Sequence, residues 1–190
     1  MRITAGKLRH RNIDMTNLET TRETQDKVRM AIFNILGQYF DGGVCLDLFA
    51  GSGAMGIEAY SRGMDSIYLN DINMDALNVC KKNCQSLGIN DVVFTHYDYK
   101  NFKDNISQKF DLIILDPPYK MNNVSDILLS IIPLLKKNGT IVFEMANETE
   151  YPTEIEGLKA IKDKKYGIKK VIVYRWFQWW KQYIKKLEIL

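Results

Sequence analysis

The stretch Val44-Cys45-Leu46-Asp47-Leu48-Phe49-Ala50-Gly51-Ser52-Gly53-Ala54-Met55-Gly56 constrains the fold more than any other part of this chain. Val44 to Phe49 reads as a short buried strand, apolar except for Asp47. Glycines follow at 51, 53 and 56. Ile57 to Arg62 then reads as a helix, with Gly63 as its C-terminal stop. Strand, glycine turn and helix form the first half of a βαβ unit, and the turn of such a unit is a ligand-binding crevice. Glycine serves two ends there. The turn reaches backbone angles closed to other residues, and a ligand approaches the main chain without meeting a Cβ. The G-x-G-x-x-G spacing is shared by many nucleotide sites, and Asp47 inside the strand is what narrows the choice.

Further strands are expected at Ser66–Asp71, Asp91–Thr95, Phe110–Leu115 and Thr140–Glu144, and a final pair at 158–163 and 170–176 joined through a Gly167 turn. Phe110–Leu115 is an almost unbroken apolar run, as in a central parallel strand. Between the strands, Asp75–Leu87 and Val124–Leu135 read as helices, the second stopped by a left-handed Asn138-Gly139. Before the glycine stretch, Val28, Ala31, Ile32, Ile35, Leu36 and Tyr39 follow a helical period, capped near Thr21 and broken at Asp41-Gly42-Gly43. Alternating strands and helices in a chain of 190 residues predict an α/β fold with one substantial core. The organisation expected is one domain, 1–190: a basic hairpin and helix over 1–40, a core over 41–176, and an aromatic, basic helix over 177–190.

Net charge is +3, but it is unevenly placed: residues 41–150 carry −6 and the two ends together +9. Arg2, Lys7, Arg9 and Arg11 lie in an N-terminal segment without an acid up to residue 13, and Arg22 and Arg29 follow. A basic hairpin there suits phosphate contact; a solvated chain end is the plainer alternative. The three cysteines, Cys45, Cys80 and Cys84, have no His or further Cys to complete a metal site. They read as reduced thiols of a cytoplasmic protein, and no apolar segment marks a signal or a membrane span. Trp176, Trp179, Trp180, Tyr183, Ile184 and Leu187 form a stripe expected to pack on the parent domain.

The second motif is Asp116-Pro117-Pro118-Tyr119, directly after the central strand. The amine of a nucleobase is a poor nucleophile because its lone pair is delocalised into the ring. Hydrogen bonds from its N–H groups to fixed acceptors draw the nitrogen toward tetrahedral geometry and free that pair. The Asp116 carboxylate and the Pro117 carbonyl are two such acceptors, Pro118 stiffens the loop, and Tyr119 offers a ring for stacking. Asp116 is also able to take the proton released. For the methyl donor, Asp47 would face an amino group, Phe49 to Gly53 would line the turn, Asp71 with Ile72 would hold a ribose, and Asp98 with Tyr99 would hold a flat heterocycle. Helix capping is the competing role for Asp71 and Asp98.

These motifs resemble the class I S-adenosylmethionine-dependent methyltransferases. Arg2-Ile3-Thr4-Ala5-Gly6-Lys7, Thr21-Arg22 with Val28–Leu36, Asp47–Gly53 and Asp116–Tyr119 together resemble the RsmD-type 16S rRNA guanine-N2 methyltransferases, over residues 1 to about 176. The resemblance implies a Rossmann-like, seven-stranded, mostly parallel sheet with an antiparallel last strand and helices on both faces. It implies S-adenosylmethionine as cofactor, no metal, and 16S rRNA within a small-subunit particle as partner of a monomeric enzyme. Glu23 stands where that family has proline, and the tail beyond Trp176 exceeds its pattern. Asp-Pro-Pro-Tyr also suits adenine N6 in DNA or RNA, or a protein glutamine. A non-catalytic RNA-binding assembly factor and a nicotinamide dehydrogenase are rivals from other classes; the intact acids oppose the first and Asp47 the second.

Overall fold

The computed structural model describes residues 1–16, 22–118 and 121–177. Its elements are α1 (Arg22–Leu36), β1 (Val44–Asp47), α2 (Ala54–Ser61), β2 (Ser66–Asn70), α3 (Met74–Leu87), β3 (Val92–Thr95), α4 (Tyr99–Asn105), β4 (Phe110–Leu115), α5 (Val124–Ile131), β5 (Leu135–Ala146), β6 (Glu154–Ile155), β7 (Leu158–Tyr166) and β8 (Lys169–Trp176). The strands form one sheet in the order β3-β2-β1-β4-β5-β8-β7-β6. β1 to β5 run parallel, and β8 enters antiparallel between β5 and β7. The expected frame of seven is present, and β6 adds an eighth strand of two residues at the edge, paired with Leu158 and Lys159. A two-residue strand carries no period to read.

Alternation along the strands divides the core. Cys45, Ile67, Leu69, Leu112, Ile114 and Val142 face one side, under α1, α2 and α3. Leu46, Leu48, Ile113, Leu115, Ile141 and Phe143 face the other, under α4 and α5. Both faces are covered, which is why β4 is apolar from Leu112 to Leu115, with only Asp111 near its start polar.

Three boundaries differ from expectation. α1 buries Val28, Ile32 and Phe33 but ends at Leu36, before Gly37 (φ 99°), so Tyr39 lies outside it, 64% exposed. α5 ends at Ile131, before a 3-10 turn holding Pro133, whose missing N–H cannot continue the helix. Lys136 to Gly139 are therefore part of β5, not a helix stop. The cap near Thr21, Tyr119, and the stripe beyond Trp176 fall outside the described residues. Trp176 itself donates from Nε1 to the Lys136 carbonyl at 2.9 Å.

The N-terminal segment is a hairpin pinned to the body, not a frayed end. A single bridge joins Arg2 and Asn12, and Ile3 and Ile13 are buried. Gly6, at φ 81°, approaches the Ser61 carbonyl so closely that a Cβ would overlap it. Beneath the hairpin lies Glu58 of α2, 0% exposed. It accepts from the Thr4 N–H (2.9 Å), the Thr4 hydroxyl (2.5 Å), the Ala5 N–H (3.1 Å) and Arg62 Nε (2.8 Å). Among the described residues no helix is long and apolar enough to cross a membrane.

Candidate active site

Two neighbouring strand ends build the site. β1 pairs with β4, and the Leu48 N–H extends that pairing to the Ile114 carbonyl at 3.1 Å. The glycine turn therefore leaves the sheet beside Asp116-Pro117-Pro118, at the carboxyl ends where open α/β sheets bind ligands.

The turn is held from several sides. The Gly51 N–H donates to Asp71 Oδ2 at 2.8 Å, and the Asn73 N–H donates to Asp71 Oδ1 at 2.8 Å. Asn73, not Asp71, caps α3, accepting from Asp75 N–H at 2.9 Å. Cys80, fully buried, donates from Sγ to the Gly51 carbonyl at 3.1 Å. A Cβ on Gly53 would crowd Cys80 Sγ at 3.1 Å, and one on Gly56 would strike Leu69 at 2.4 Å. At these two positions the missing side chain admits the protein's own core, and Gly53, at φ 82°, also has the backbone angle that was the other reason expected for glycine. Gly51, at φ 54°, supplies the left-handed turn.

Asp47 is 1% exposed and accepts from the Gly56 N–H at 2.9 Å, so its first duty is to seat α2 on β1. Ser52 is also 1% exposed, covered where the chain rises from the hairpin to Met15, and Ala50 and Gly53 are buried with it. Phe49, Gly51 and Asp71 are half-buried and Ile72 is 64% exposed, so these four keep open surface. Asp98 caps α4 by accepting from the Lys100 N–H at 2.9 Å. Tyr99 lies 6.1 Å from Phe49, centroid to centroid, and accepts from Asn123 Nδ2 at 2.5 Å. Asp98, Tyr99, Lys100, Met121, Asn122 and Asn123 line an open cavity of about 640 Å³. That volume is in the range of small-molecule sites.

Burial pushes the Asp47 carboxyl up to about 7; the Gly56 N–H lowers it and the Asp71 charge raises it further. In the unfolded chain the same group ionises near 3.8. Between those values the unfolded chain binds fewer protons, so stability falls as pH rises across the window and is level above it. Asp47→Asn does not ionise. Its stability relative to wild type is expected to improve by up to about 4 kcal/mol between about pH 4 and about pH 8, at roughly 1.4 kcal/mol per pKa unit. Urea denaturation at a series of pH values measures this; a pH-independent difference would contradict it.

A second, narrow crevice is lined by Asp116, Pro117, Pro118 and Met121 on one side and by Glu144, Met145, Ala146 and Thr149 on the other. The Met121 N–H closes the loop onto the Pro118 carbonyl at 2.9 Å. Glu144 had no signal in sequence beyond an acid ending an apolar strand.

Asn70 was likewise not foreseen. It is 2% exposed at the end of β2. Its Nδ2 donates to the Leu48 and Tyr97 carbonyls, each at 3.0 Å, and its Oδ1 accepts from Thr95 Oγ1 at 2.9 Å. One side chain thus ties three strand ends around the turn. A polar residue closing the apolar run Ile67–Leu69 is the signal that was available.

Of the basic residues expected to meet phosphates, Arg2, Lys7, Arg9 and Arg11 are exposed. Lys7 Nζ lies 3.4 Å from the centre of the Tyr60 ring, and Arg11 donates to the Ser86 carbonyl at 3.2 Å. The Arg22 side chain is outside the described set. Arg29 departs from expectation: it is 2% exposed and spent internally. It donates to Arg2 O (2.5 Å) and Asp26 Oδ1 (2.9 Å), touches Met1 Sδ, and stands 3.3 Å from Glu58 Oε2. Glu58 draws this guanidinium inward. Among the described residues no cluster of His, Cys, Asp or Glu is arranged to hold a metal ion.

The family model described as conserved hypothetical protein 95 matches residues 1–175. YlbH of Bacillus subtilis, named provisionally as an rRNA methyltransferase, is 35% identical over 181 residues, covering 92% of this chain and 98% of that protein. Ribosomal RNA small subunit methyltransferase D of Haemophilus influenzae is 32% identical over 186 residues, 94% of this chain and 93% of that one. The solved structure of Escherichia coli YhhF, described provisionally as a methyltransferase, superposes with a TM-score of 0.81 at 25% identity, covering 93% and 97% of the two chains. The sheet order, the glycine turn beside Asp116-Pro117-Pro118 and these matches agree, and the chain belongs to the conserved hypothetical protein 95 family of RsmD-type methyltransferases.

Proposed function

We propose that this chain methylates the exocyclic N2 amine of a guanine in 16S rRNA, with S-adenosylmethionine as methyl donor. The observation that carries the reading is the position of Asp116 and Pro117. A carboxylate and a carbonyl stand at the end of the central strand, in a crevice beside the glycine turn. The names of the relatives, rRNA and small-subunit methyltransferases, support RNA as the substrate.

The open surface fits the donor. The Asp71 oxygens each accept one backbone N–H and keep lone pairs for ribose hydroxyls. Exposed Ile72, and Phe49 beside Tyr99, offer apolar surface to an adenine, and Tyr99 and Asp98 line the open cavity. Asp47, Ala50, Ser52 and Gly53 hold the turn from behind. S-adenosylmethionine supplies an electrophilic methyl on a sulfonium. The chain's own part is to hold the guanine amine in line. Asp116 and the Pro117 carbonyl accept its N–H groups, and Asp116 takes the proton when the new N–C bond forms. The target base leaves its stack to reach this crevice. Exposed Arg2, Lys7, Arg9 and Arg11 are placed to meet RNA phosphates. Three buried thiols suit a reduced, cytoplasmic setting.

Labelled-methyl transfer to rRNA, small ribosomal subunits, DNA and protein, assayed in parallel, tests the reading. Label is expected in RNA, and on guanine N2 by mass spectrometry. Label on adenine N6 or on protein glutamine instead would overturn it.

A further inference from the structure

Glu144 is a buried carboxylate for which the proposed chemistry has no use so far. It is 6% exposed, yet it lines the same crevice as Asp116. Its Oε1 is ion-paired with Lys169 of β8. A second carboxylate buried at the crevice, beyond the one the proposed chemistry uses, is costly to keep there unless it is paired or put to use.

The sheet places the groups in a row. Leu115 pairs with Phe143, so Asp116 falls beside Glu144 on the neighbouring strand. Glu144 pairs with Val171, and Lys169 lies two residues along on the same face of β8. β4, β5 and β8 are consecutive in the sheet, at the usual spacing of about 4.8 Å. Along the sheet the order is acceptor, acceptor, donor: Asp116 and Glu144, which line the crevice, and then Lys169, the ion-pair partner of Glu144. The crevice itself is narrow, about 10 Å³, room for about one water, so a base meets these groups with its edge at the mouth and does not enter.

Guanine's Watson–Crick edge runs donor, donor, acceptor: the N2 amine, N1–H and O6. We propose that Glu144 is a specificity-determining residue that accepts the guanine N1–H beside the reacting amine, with Lys169 holding the carboxylate in place. Adenine, placed with its N6 amine at Asp116, sets the N1 lone pair against the Glu144 carboxylate. A primary amide sets its carbonyl oxygen there. Both are rejected by an unpaired, repelling acceptor, the kind of mismatch that discriminates most strongly. This inference rests on the proposed guanine-N2 activity.

The test uses 2-aminopurine, which keeps the 2-amine but presents a lone pair at N1. The modified guanine is first located, and small-subunit RNA is then prepared with guanine or 2-aminopurine at that position. Wild-type enzyme is expected to favour guanine by roughly 100-fold in kcat/KM. Glu144→Gln is expected to lose about 10- to 100-fold on guanine. It should also bring the ratio of the two substrates to within about threefold or reverse it, because an amide N–H donates to N1. S-adenosylmethionine affinity, by calorimetry, should be unchanged. An unchanged ratio in Glu144→Gln, with both substrates slowed alike, assigns Glu144 a structural role and overturns the proposal. Equal use of both substrates by wild type overturns it as well, and that arm decides the matter if the variant does not fold. A wild-type enzyme that leaves every RNA guanine unmodified instead overturns the function on which the inference rests.

Discussion

Asp116→Ala is expected to lower methyl transfer to RNA by at least about 10³-fold while S-adenosylmethionine binds as before. The reason is where the carboxylate acts. It stands in the crevice with Pro117 and Pro118, not in the open cavity of Asp98 and Tyr99 where the donor's adenine is proposed to lie. Removing it withdraws an acceptor that counts most in the transition state, when the amine nitrogen gains positive charge. A loss of that kind appears in kcat and in kcat/KM together. Asp116→Asn keeps the shape and one acceptor oxygen but cannot take the proton, so it should fall between wild type and alanine. Single-turnover transfer of labelled methyl, with donor affinity measured separately, checks both variants. Activity of Asp116→Ala within tenfold of wild type would remove the carboxylate from the mechanism.

The second large effect is one of stability. Glu58→Ala should cost about 3–5 kcal/mol, because it leaves the buried Arg62 guanidinium without a counter-charge and the buried Arg29 with Asp26 alone. Arg62 donates to Glu58 at 2.8 Å, and Arg29 lies 3.3 Å from its other oxygen, with side chains 4% and 2% exposed. The same carboxylate accepts the Thr4 and Ala5 N–H groups, so the hairpin loses its anchor at the same time. Chemical denaturation gives the first effect, and tryptic cleavage after Arg9 or Arg11 in the native state gives the second. A variant with an unchanged midpoint and an intact N-terminus would show that the ion cluster holds nothing. The consequence for function is specific: the exposed basic residues of the hairpin depend for their place on an acid buried beneath them, together with Ser61.

Glu58 also shows what sequence reasoning passes over. Its partner Arg62 stands four residues on, an ordinary helical spacing usually found on a solvated face. Nothing local says that Thr4 and Arg29 will close over it. The strand–glycine–helix unit and the Asp-Pro-Pro turn were legible because each is written in consecutive residues, and the parallel order of β1 to β5 followed from the alternation of strands and helices. Contacts between distant segments were not legible. Arg29 reads as one more exposed base in a basic terminus until Glu58 draws it inward. Asp47 reads as a ligand contact, and nothing in its neighbourhood of sequence says that its Oδ2 also accepts the Gly56 N–H. Short elements failed for another reason: α4 has seven residues and β6 two, too few for a period. Glu144 and Asp116 lie far apart in the chain and meet only because β4 and β5 are neighbours.

The packing of Cys80 under the glycine turn gives the molecule a reporter of its own motion. All three thiols are buried, burial raises the Cys84 thiol to about 12, and Cys45 lies well above its usual value for the same reason. Thiol reagents attack the thiolate and need access to it. Alkylation of the native protein therefore proceeds only through opening, and the Cys80 rate counts how often its sulfur parts from the Gly51 carbonyl. A ligand that closes the turn slows that clock, so occupancy becomes measurable without any methyl being transferred.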